Sequence, residues 1–170
     1  HMRIMHEHKG FPVLFTRAAN VFGEHQQLYR VVPKAFLCAL TGREFPLEGG
    51  GPSRRSFIHI SDVSRATWLI AEKGALGETH HISTDELVSI RSLVERIFRI
   101  VGSELEVGRV PVEDRIGKDA GYFLSSDKLK KICGWLPEVS LNDGLAKTHE
   151  WVRSNLEVLR SLPWEYEHKR

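Results

Sequence analysis

Apolar residues in this chain occur either in short continuous or alternating runs, or at helical spacing. The runs predict strands at Phe11–Thr16, Phe45–Glu48, Ser56–Ile60, Thr79–Ser83 and Leu105–Val110. Spacings of three and four predict helices over Arg3–Lys9, from Pro33 to Leu40, from Ser61 to Gly74, from Ser89 to Gly102, from Ser126 or Asp127 onward, and from Ser140 to Asn155. Because helices and strands alternate without repeats or linkers, the pattern indicates one compact α/β unit.

Several elements carry additional local signals. The uninterrupted apolar run Phe11–Thr16 is typical of a strand that is buried on both faces of a parallel sheet. Ser61 is the predicted N-cap of its helix, and Asp62 is interpreted as a cap or dipole partner in the first turn. Ser89 and Gly102 are expected to delimit the most amphipathic helix.

Charge and cysteine content exclude several function classes. The 24 basic and 22 acidic residues give a net charge of +2 without a clustered basic face, so no nucleic-acid partner is expected. The longest apolar run is far shorter than the ~18 residues of a membrane helix, so no membrane partner is expected either. Cys38 and Cys133 are predicted to be buried free thiols of a cytoplasmic protein.

No metal site is predicted. His80 and His81 lie in an alternating strand, so one ring should face the interior and the other the opposite side, and no third ligand follows at a zinc-like spacing. His1 and Met2 are interpreted as a cloning scar, which leaves residues 3–170 as a single predicted domain.

Three polar positions could contact an anionic ligand. Asn20 follows the first predicted strand, where it could either face a ligand or hydrogen-bond its own turn. Arg30 precedes the helix that begins near Pro33, and a cation beside free helical N–H groups favours phosphate. Arg55 follows a glycine-rich turn and offers a rigid fork for phosphate oxygens, although Arg54-Arg55 could equally be plain surface charge.

Four motifs, in this order, carry a family resemblance. They are Arg17-Ala-Ala-Asn20-Val-Phe-Gly23, Tyr29-Arg30-Val-Val-Pro33, Gly49-Gly-Gly51-Pro-Ser-Arg54-Arg55, and Asp114-Arg115-Ile-Gly117-Lys118-Asp119. With the downstream Gly134-Trp135-Leu-Pro137, the chain resembles the second half of extended short-chain dehydrogenases/reductases of the NAD-dependent epimerase/dehydratase family, closest to the dTDP-glucose 4,6-dehydratase group. The resemblance implies the C-terminal part of a Rossmann-like α/β fold, with a few short strands packed with several helices.

The resemblance also implies roles for individual residues. Contacts to a nucleotide-diphosphate sugar are implied for Asn20, Arg30, Arg55, Arg115 and, less directly because the family has His there, Lys118. Ala18 and Ala19 would pass their backbone near the nicotinamide of NAD. Glu48 stands where this group often has a Tyr that stacks on thymine, so the base is left open between thymidine, uridine, cytidine and guanosine.

The chemistry itself is expected to lie outside this chain. No Gly-x-x-Gly-x-x-Gly or Tyr-x-x-x-Lys pattern is present, so we predict no catalytic residue and no activity for the chain alone. We expect it to be the substrate-binding portion of an NAD-dependent sugar-nucleotide 4,6-dehydratase whose N-terminal half binds NAD. The alternatives are a 4-epimerase, a UDP-glucuronate decarboxylase, or a stand-alone non-catalytic nucleotide-sugar-binding module; assembly as a homo-oligomer is also left open.

Overall fold

The computed structural model describes residues 1–109, 111–114, 117, 119–121 and 123–165. In this part of the chain the helices are α1 (Met2–Lys9), α2 (Val31–Thr41), α3 (Ile60–Lys73), α4 (Ile90–Val101), α5 (Asp127–Cys133), α6 (Leu141–Ser154) and α7 (Leu156–Leu159). The strands are β1 (Phe15–Ala18), β2 (Asn20–Phe22), β3 (Leu47–Glu48), β4 (Arg54–His59), β5 (Thr79–Ile82), β6 (Leu87–Ser89) and β7 (Pro111–Val112).

The described strands form small sheets of two or three strands. β1 pairs with β5 in parallel, from Phe15 opposite Thr79 to Ala18 opposite Ile82. β3 pairs with β7 in parallel, and a three-stranded sheet has the order β2-β4-β6. The predicted α/β class, with few short strands and several helices, is therefore confirmed.

The chain divides into two compact units. The first comprises His1–Val21, Ser56–Leu87 and Phe123–Ser140. Its core is formed by residues from β1, β4, α3, β5 and α5 with the turn after it: Ala19, Ile58, Ala66, Ile70, Ile82, Leu129, Cys133 and Trp135.

Both cysteines of the chain are buried free thiols, as predicted, and burial raises the pKa of Cys38 to about 11.

The second unit comprises the described residues of Phe22–Arg55, Val88–Tyr122 and Leu141–Arg170. Its helices α2, α4 and α6 pack against one another through fully buried apolar side chains, among them Phe36, Leu37, Leu93, Ile97, Leu145 and Val152. The prediction for α4 is confirmed at both ends. Ser89 Oγ accepts a hydrogen bond from Ser92 N at 3.0 Å, and Gly102 ends the helix at a left-handed φ of 75°.

Asp62 does more than the predicted capping or dipole role. Its side chain is 1% exposed, and its two carboxylate oxygens accept hydrogen bonds from the backbone N–H groups of Glu138 and Val139 at 3.0 and 2.9 Å. Arg65 donates to the same carboxylate at 2.9 Å, and Trp135 Nε1 donates to the Asp62 carbonyl at 3.2 Å. Asp62 therefore fixes the turn after α5 onto α3.

Other local predictions were wrong. β1 begins at Phe15 rather than Phe11, and the exposure of Thr16 and Arg17 shows that this strand is not buried on both faces; in the described part of the chain it pairs with β5 only. The predicted cap Ser61 lies inside α3, which begins after His59, whose ring accepts from Ser61 N at 3.4 Å.

The predicted strand over 105–110 does not form in the described residues 105–109. Gly108, with a φ of 80°, forms a turn there with Val107, so the alternation of apolar residues does not continue as a strand. The structure instead contains β6, β7 and α7, which the pattern did not predict. No helix in the described part of the chain is both long and apolar enough to span a membrane.

His80 is the least satisfied polar side chain in the first unit. It is fully buried, whereas His81 is only half-buried, which confirms the predicted alternation. Neither ring nitrogen of His80 has a hydrogen-bond partner among the described residues. Burial lowers the pKa of His80, the positive charge of Lys128 lowers it further, and Glu78 opposes both effects.

A pH-dependent stability follows from this burial. Because the pKa of His80 is lower in the folded chain than in the unfolded chain, the unfolded chain binds more protons as the pH falls through about 6.5, so the free energy of unfolding should fall with it. We expect His80→Leu to reduce the slope of the free energy of unfolding against pH between pH 7.5 and pH 5.0, by at most about 1.4 kcal/mol per pH unit. Urea unfolding at several pH values measures this slope. His81→Gln is the control and should keep the wild-type slope; an unchanged slope in His80→Leu would contradict the expectation.

Candidate functional site

Asn20 is held by strand β4. Its Nδ2 donates a hydrogen bond to the Ser56 carbonyl at 3.1 Å, so the amide is anchored across the sheet and not on its own turn. The preceding Ala19 N–H donates to the Ile82 carbonyl at 2.9 Å. An amide group has a second N–H and an oxygen, so Asn20 keeps both kinds of hydrogen-bonding capacity for a ligand.

A network of buried and half-buried hydroxyl groups supports this anchor, and no motif in the sequence pointed to it. Ser56 Oγ lies 2.9 Å from Thr84 Oγ1, and Ser83 Oγ donates to Ser56 Oγ at 3.1 Å. Ser126 Oγ donates to the Ser83 carbonyl at 2.8 Å and accepts from Ser83 N at 2.8 Å. The network joins β4, the end of β5 and the start of α5, and thereby fixes the strand that anchors Asn20.

Arg30 is the N-cap residue of α2. It is exposed, and its guanidinium lies 5.3 Å from the centre of the Tyr29 ring. The helix begins two residues before the predicted start, which places Pro33 third in the first turn, where a missing N–H is tolerated. The start of α2 therefore places the N–H group of the half-buried Val31 beside a positively charged side chain, an arrangement that favours an anion.

Arg55 holds a loop. Its Nη1 and Nη2 donate to the carbonyls of Arg54 and Asp119, each at 2.8 Å. The backbone of Arg54 reinforces this contact, because Arg54 N donates to the Ala120 carbonyl at 2.9 Å and Arg54 forms a parallel bridge with Gly121. The guanidinium predicted to bind phosphate is thus fixed at one end of the segment 113–121.

The glycine-rich turn holds the other end of this segment. Gly49, Gly50 and Gly51 all have positive φ values, 58°, 74° and 70°, which explains the run of glycines. Gly49 N donates to the Val112 carbonyl at 2.9 Å. A Cβ atom at Gly49 would lie 2.5 Å from Cγ of Asp114, so the turn contacts the segment so closely that only glycine fits.

Arg115 and Lys118, the other two predicted ligand contacts, lie outside the described residues, and their roles remain predictions. In sequence they stand between Asp114, at the glycine turn, and Asp119, at Arg55. Ala18, Ala19 and Asn20 belong to the first unit, whereas Arg30 and Arg55 belong to the second. The described residues contain no group of three or more His, Cys, Asp or Glu side chains placed to hold a metal ion.

Comparison with known proteins gives concordant matches. Residues 1–83 match the model of the NAD dependent epimerase/dehydratase family. The chain is 34% identical over 148 residues, 87% of its length, to a trifunctional UDP-glucose 4,6-dehydratase/UDP-4-keto-6-deoxy-D-glucose 3,5-epimerase/UDP-4-keto-L-rhamnose-reductase of Arabidopsis thaliana.

Solved structures of similar fold include two nucleotide-sugar enzymes. A double mutant of the dTDP-glucose 4,6-dehydratase of Streptomyces venezuelae, solved with NAD bound, matches 95% of this chain with a TM-score of 0.89 and 31% identity. The UDP-glucose 4-epimerase of Thermotoga maritima, solved with UDP-glucose, matches 91% with a TM-score of 0.85 and 30% identity. The chain spans 22% of the length of the Arabidopsis relative and 50% of the length of each of these two structures.

Proposed function

Because this chain belongs to the NAD-dependent epimerase/dehydratase family, we propose that it is the nucleotide-sugar-binding portion of a sugar-nucleotide 4,6-dehydratase. The relatives that favour a dehydratase are the Arabidopsis protein and the Streptomyces enzyme, of which this chain matches only a part. The catalytic and cofactor-binding residues would then be supplied by a portion of the enzyme outside these 170 residues.

The observation that carries this proposal is the loop contact of Arg55. Its guanidinium donates to the Asp119 carbonyl at 2.8 Å, and the sequence places Arg115 four residues and Lys118 one residue before Asp119. Arg55 therefore contacts a short segment whose sequence contains two further cationic residues, a composition that suits a diphosphate. Arg30 at the start of α2 is proposed to add a further contact to this ligand. For Asn20, at the start of β2, the motif resemblance alone supports a proposed contact to a nucleotide-diphosphate sugar.

The proposed contribution to catalysis is positioning. Binding energy from the nucleoside diphosphate, which does not react, holds the hexose where the reaction takes place. NAD in the intact enzyme would take a hydride from the sugar and return it. The arginines of the second unit would hold the diphosphate while residues outside this chain transfer protons.

Ala18 and Ala19 are the residues of this chain that are proposed to lie near NAD. Ala18 is half-buried and Ala19 is 7% exposed, and the Ala19 N–H is already donated to the Ile82 carbonyl. These two residues can offer small apolar surface to a nicotinamide, but they offer no group that could bind its phosphates. We therefore propose that NAD binds only when the remaining portion of the enzyme is present.

A 4-epimerase is the second candidate. The match to the Thermotoga epimerase has 30% identity, close to the 31% of the dehydratase structure. In an epimerase the hydride would return to C4 from the opposite face of the sugar. The diphosphate contacts proposed here would serve either reaction, so assaying the intact enzyme for loss of water from the sugar decides between them.

Titration of this chain with UDP, dTDP, GDP and uridine tests the binding proposal. Nitrogen-edited NMR spectra should show UDP or dTDP binding at least about tenfold more tightly than uridine, because the diphosphate supplies charge-assisted hydrogen bonds. Equal affinity for UDP and uridine would contradict the assignment of the cations to a diphosphate. The same titration shows which of the three bases is preferred. The sequence leaves this open, because Glu48 cannot stack on thymine.

A further inference from the structure

Arg91 is a second arginine whose hydrogen bonds are directed at backbone carbonyls. It lies in the first turn of α4, where the sequence suggests an ordinary surface cation. Its Nε donates to the Gly50 carbonyl at 2.9 Å, and its Nη1 donates to the Val107 carbonyl at 3.0 Å. Its backbone N–H also donates to the Gly51 carbonyl, at 3.0 Å.

The surroundings of Arg91 are shaped to receive this side chain. A Cβ atom at Gly108 would lie 2.8 Å from Nη2 of Arg91, so a side chain there would displace the guanidinium. A Cβ atom at Gly51 would lie 2.8 Å from the Arg91 backbone nitrogen, so a side chain could not be added there without moving the helix start. The carboxylate of Glu95, one turn further along α4, lies 3.6 Å from Nη1 of Arg91.

These contacts form a continuous path to the ligand segment. Arg91 holds Gly50 and Gly51; the adjacent Gly49 donates to the Val112 carbonyl and packs on Asp114. Asp114 directly precedes Arg115 in the sequence. Each step involves backbone groups, which transmit a displacement more directly than flexible side chains.

We infer that Arg91 is a positioning residue, which sets the Gly49–Gly51 turn and through it Val112 and Asp114, the described residues that precede Arg115 in the sequence. This inference rests on the proposed function, because it assigns the segment to the nucleotide. Arg91 itself does not touch the substrate. Its role is to keep the turn in one conformation before the nucleotide binds, which lowers the cost of ordering the site.

The test combines nucleotide affinity with amide exchange in the 170-residue chain. Arg91→Ala should weaken UDP binding about tenfold, because an arginine fork that donates to two carbonyls is removed. Exchange of the Gly49 amide should accelerate by a similar factor. Exchange of the Arg54 amide, which bonds the Ala120 carbonyl at the other end of the segment, should not change. Arg91→Lys, with a single ammonium group, should give an intermediate affinity.

Two variants separate this role from a general effect. Arg99→Ala removes the same charge from an exposed position of the same helix. Ser89→Ala removes the N-cap hydrogen bond to Ser92 N and destabilises the helix start without removing the guanidinium. Both should keep UDP affinity within about twofold of the wild type. If either matches Arg91→Ala in affinity and Gly49 exchange, charge or helix stability explains the effect and the inference is overturned.

Failure of the two proposals can be told apart. If the wild-type chain binds UDP and Arg91→Ala binds it equally well, the positioning role is wrong while the proposed function stands. If the wild-type chain binds none of UDP, dTDP and GDP, the proposed function fails, and the assignment of Arg91 to a nucleotide site fails with it.

Discussion

Replacing Asp62 with alanine is expected to lower the free energy of unfolding by about 3 kcal/mol. The substitution leaves the part-buried N–H groups of Glu138 and Val139 without their carboxylate acceptor, and it removes the charge partner of Arg65. The Asp62 carbonyl, which accepts a hydrogen bond from the fully buried Trp135, remains in the variant, so the loss reports on the carboxylate alone. Urea unfolding at pH 7 measures the loss.

Asp143 supplies the matched control for this experiment. It is also an acidic residue in the first turn of a helix, α6, but its side chain is exposed. Asp143→Ala should cost less than about 1 kcal/mol, the range of a capping or dipole interaction. Similar losses in the two variants would mean that Asp62 acts only as the dipole partner that its sequence position suggests, and that the turn over 138–139 is held by other contacts.

Helix α4 shows what a local pattern can establish. Its apolar stripe, its Ser89 cap and its Gly102 terminus all lie within fourteen residues, and the structure contains each of them. Every signal needed to place the helix is therefore present in the segment itself. The same holds for α1, which ends at Gly10 with a left-handed φ of 64°, as expected for a C-terminal glycine.

Strands of two or three residues could not be placed in this way. β7 exists because Pro111 and Val112 lie beside Leu47 and Glu48, more than sixty residues earlier in the chain. The alternating run over 105–109 looked more strand-like, but it turns at Gly108 and its Val107 carbonyl receives Arg91. Pairing between distant segments, rather than local alternation, decides where such short strands form.

In the candidate site, too, local signals identified residues but not their contacts. The motifs and their order pointed to Asn20, Arg30 and Arg55, and the structure describes the positions of all three. What each side chain contacts was not predictable, because the acceptors of Asn20 and Arg55 lie 36 and 64 residues away in sequence. Arg91 gave no motif signal, because a single arginine in a helical first turn is usually solvated.

Replacing Arg55 with alanine is expected to weaken UDP or dTDP binding by about tenfold to a hundredfold, the larger of the effects predicted for nucleotide affinity. Two losses combine in this variant. The cation proposed to bind the diphosphate is removed, and the Asp119 carbonyl loses the donor that holds its segment in place. Arg55→Lys keeps the charge but not the planar fork, so its affinity should lie between those of the wild type and the alanine variant. Titration followed by NMR measures all three.

Arg54 provides a control of equal charge at the adjacent position. Its backbone N–H holds the Ala120 carbonyl and its own carbonyl receives Arg55 Nη1, and both backbone contacts can remain when the side chain is truncated. Arg54→Ala should therefore change nucleotide affinity by less than about threefold, as expected for an exposed charge. If both alanine variants lose affinity equally, Arg54-Arg55 acts only as surface charge. If Arg55→Ala alone loses affinity, the effect belongs to the guanidinium that holds Asp119, and the segment that contains Arg115 becomes the next place to look for contacts to the diphosphate.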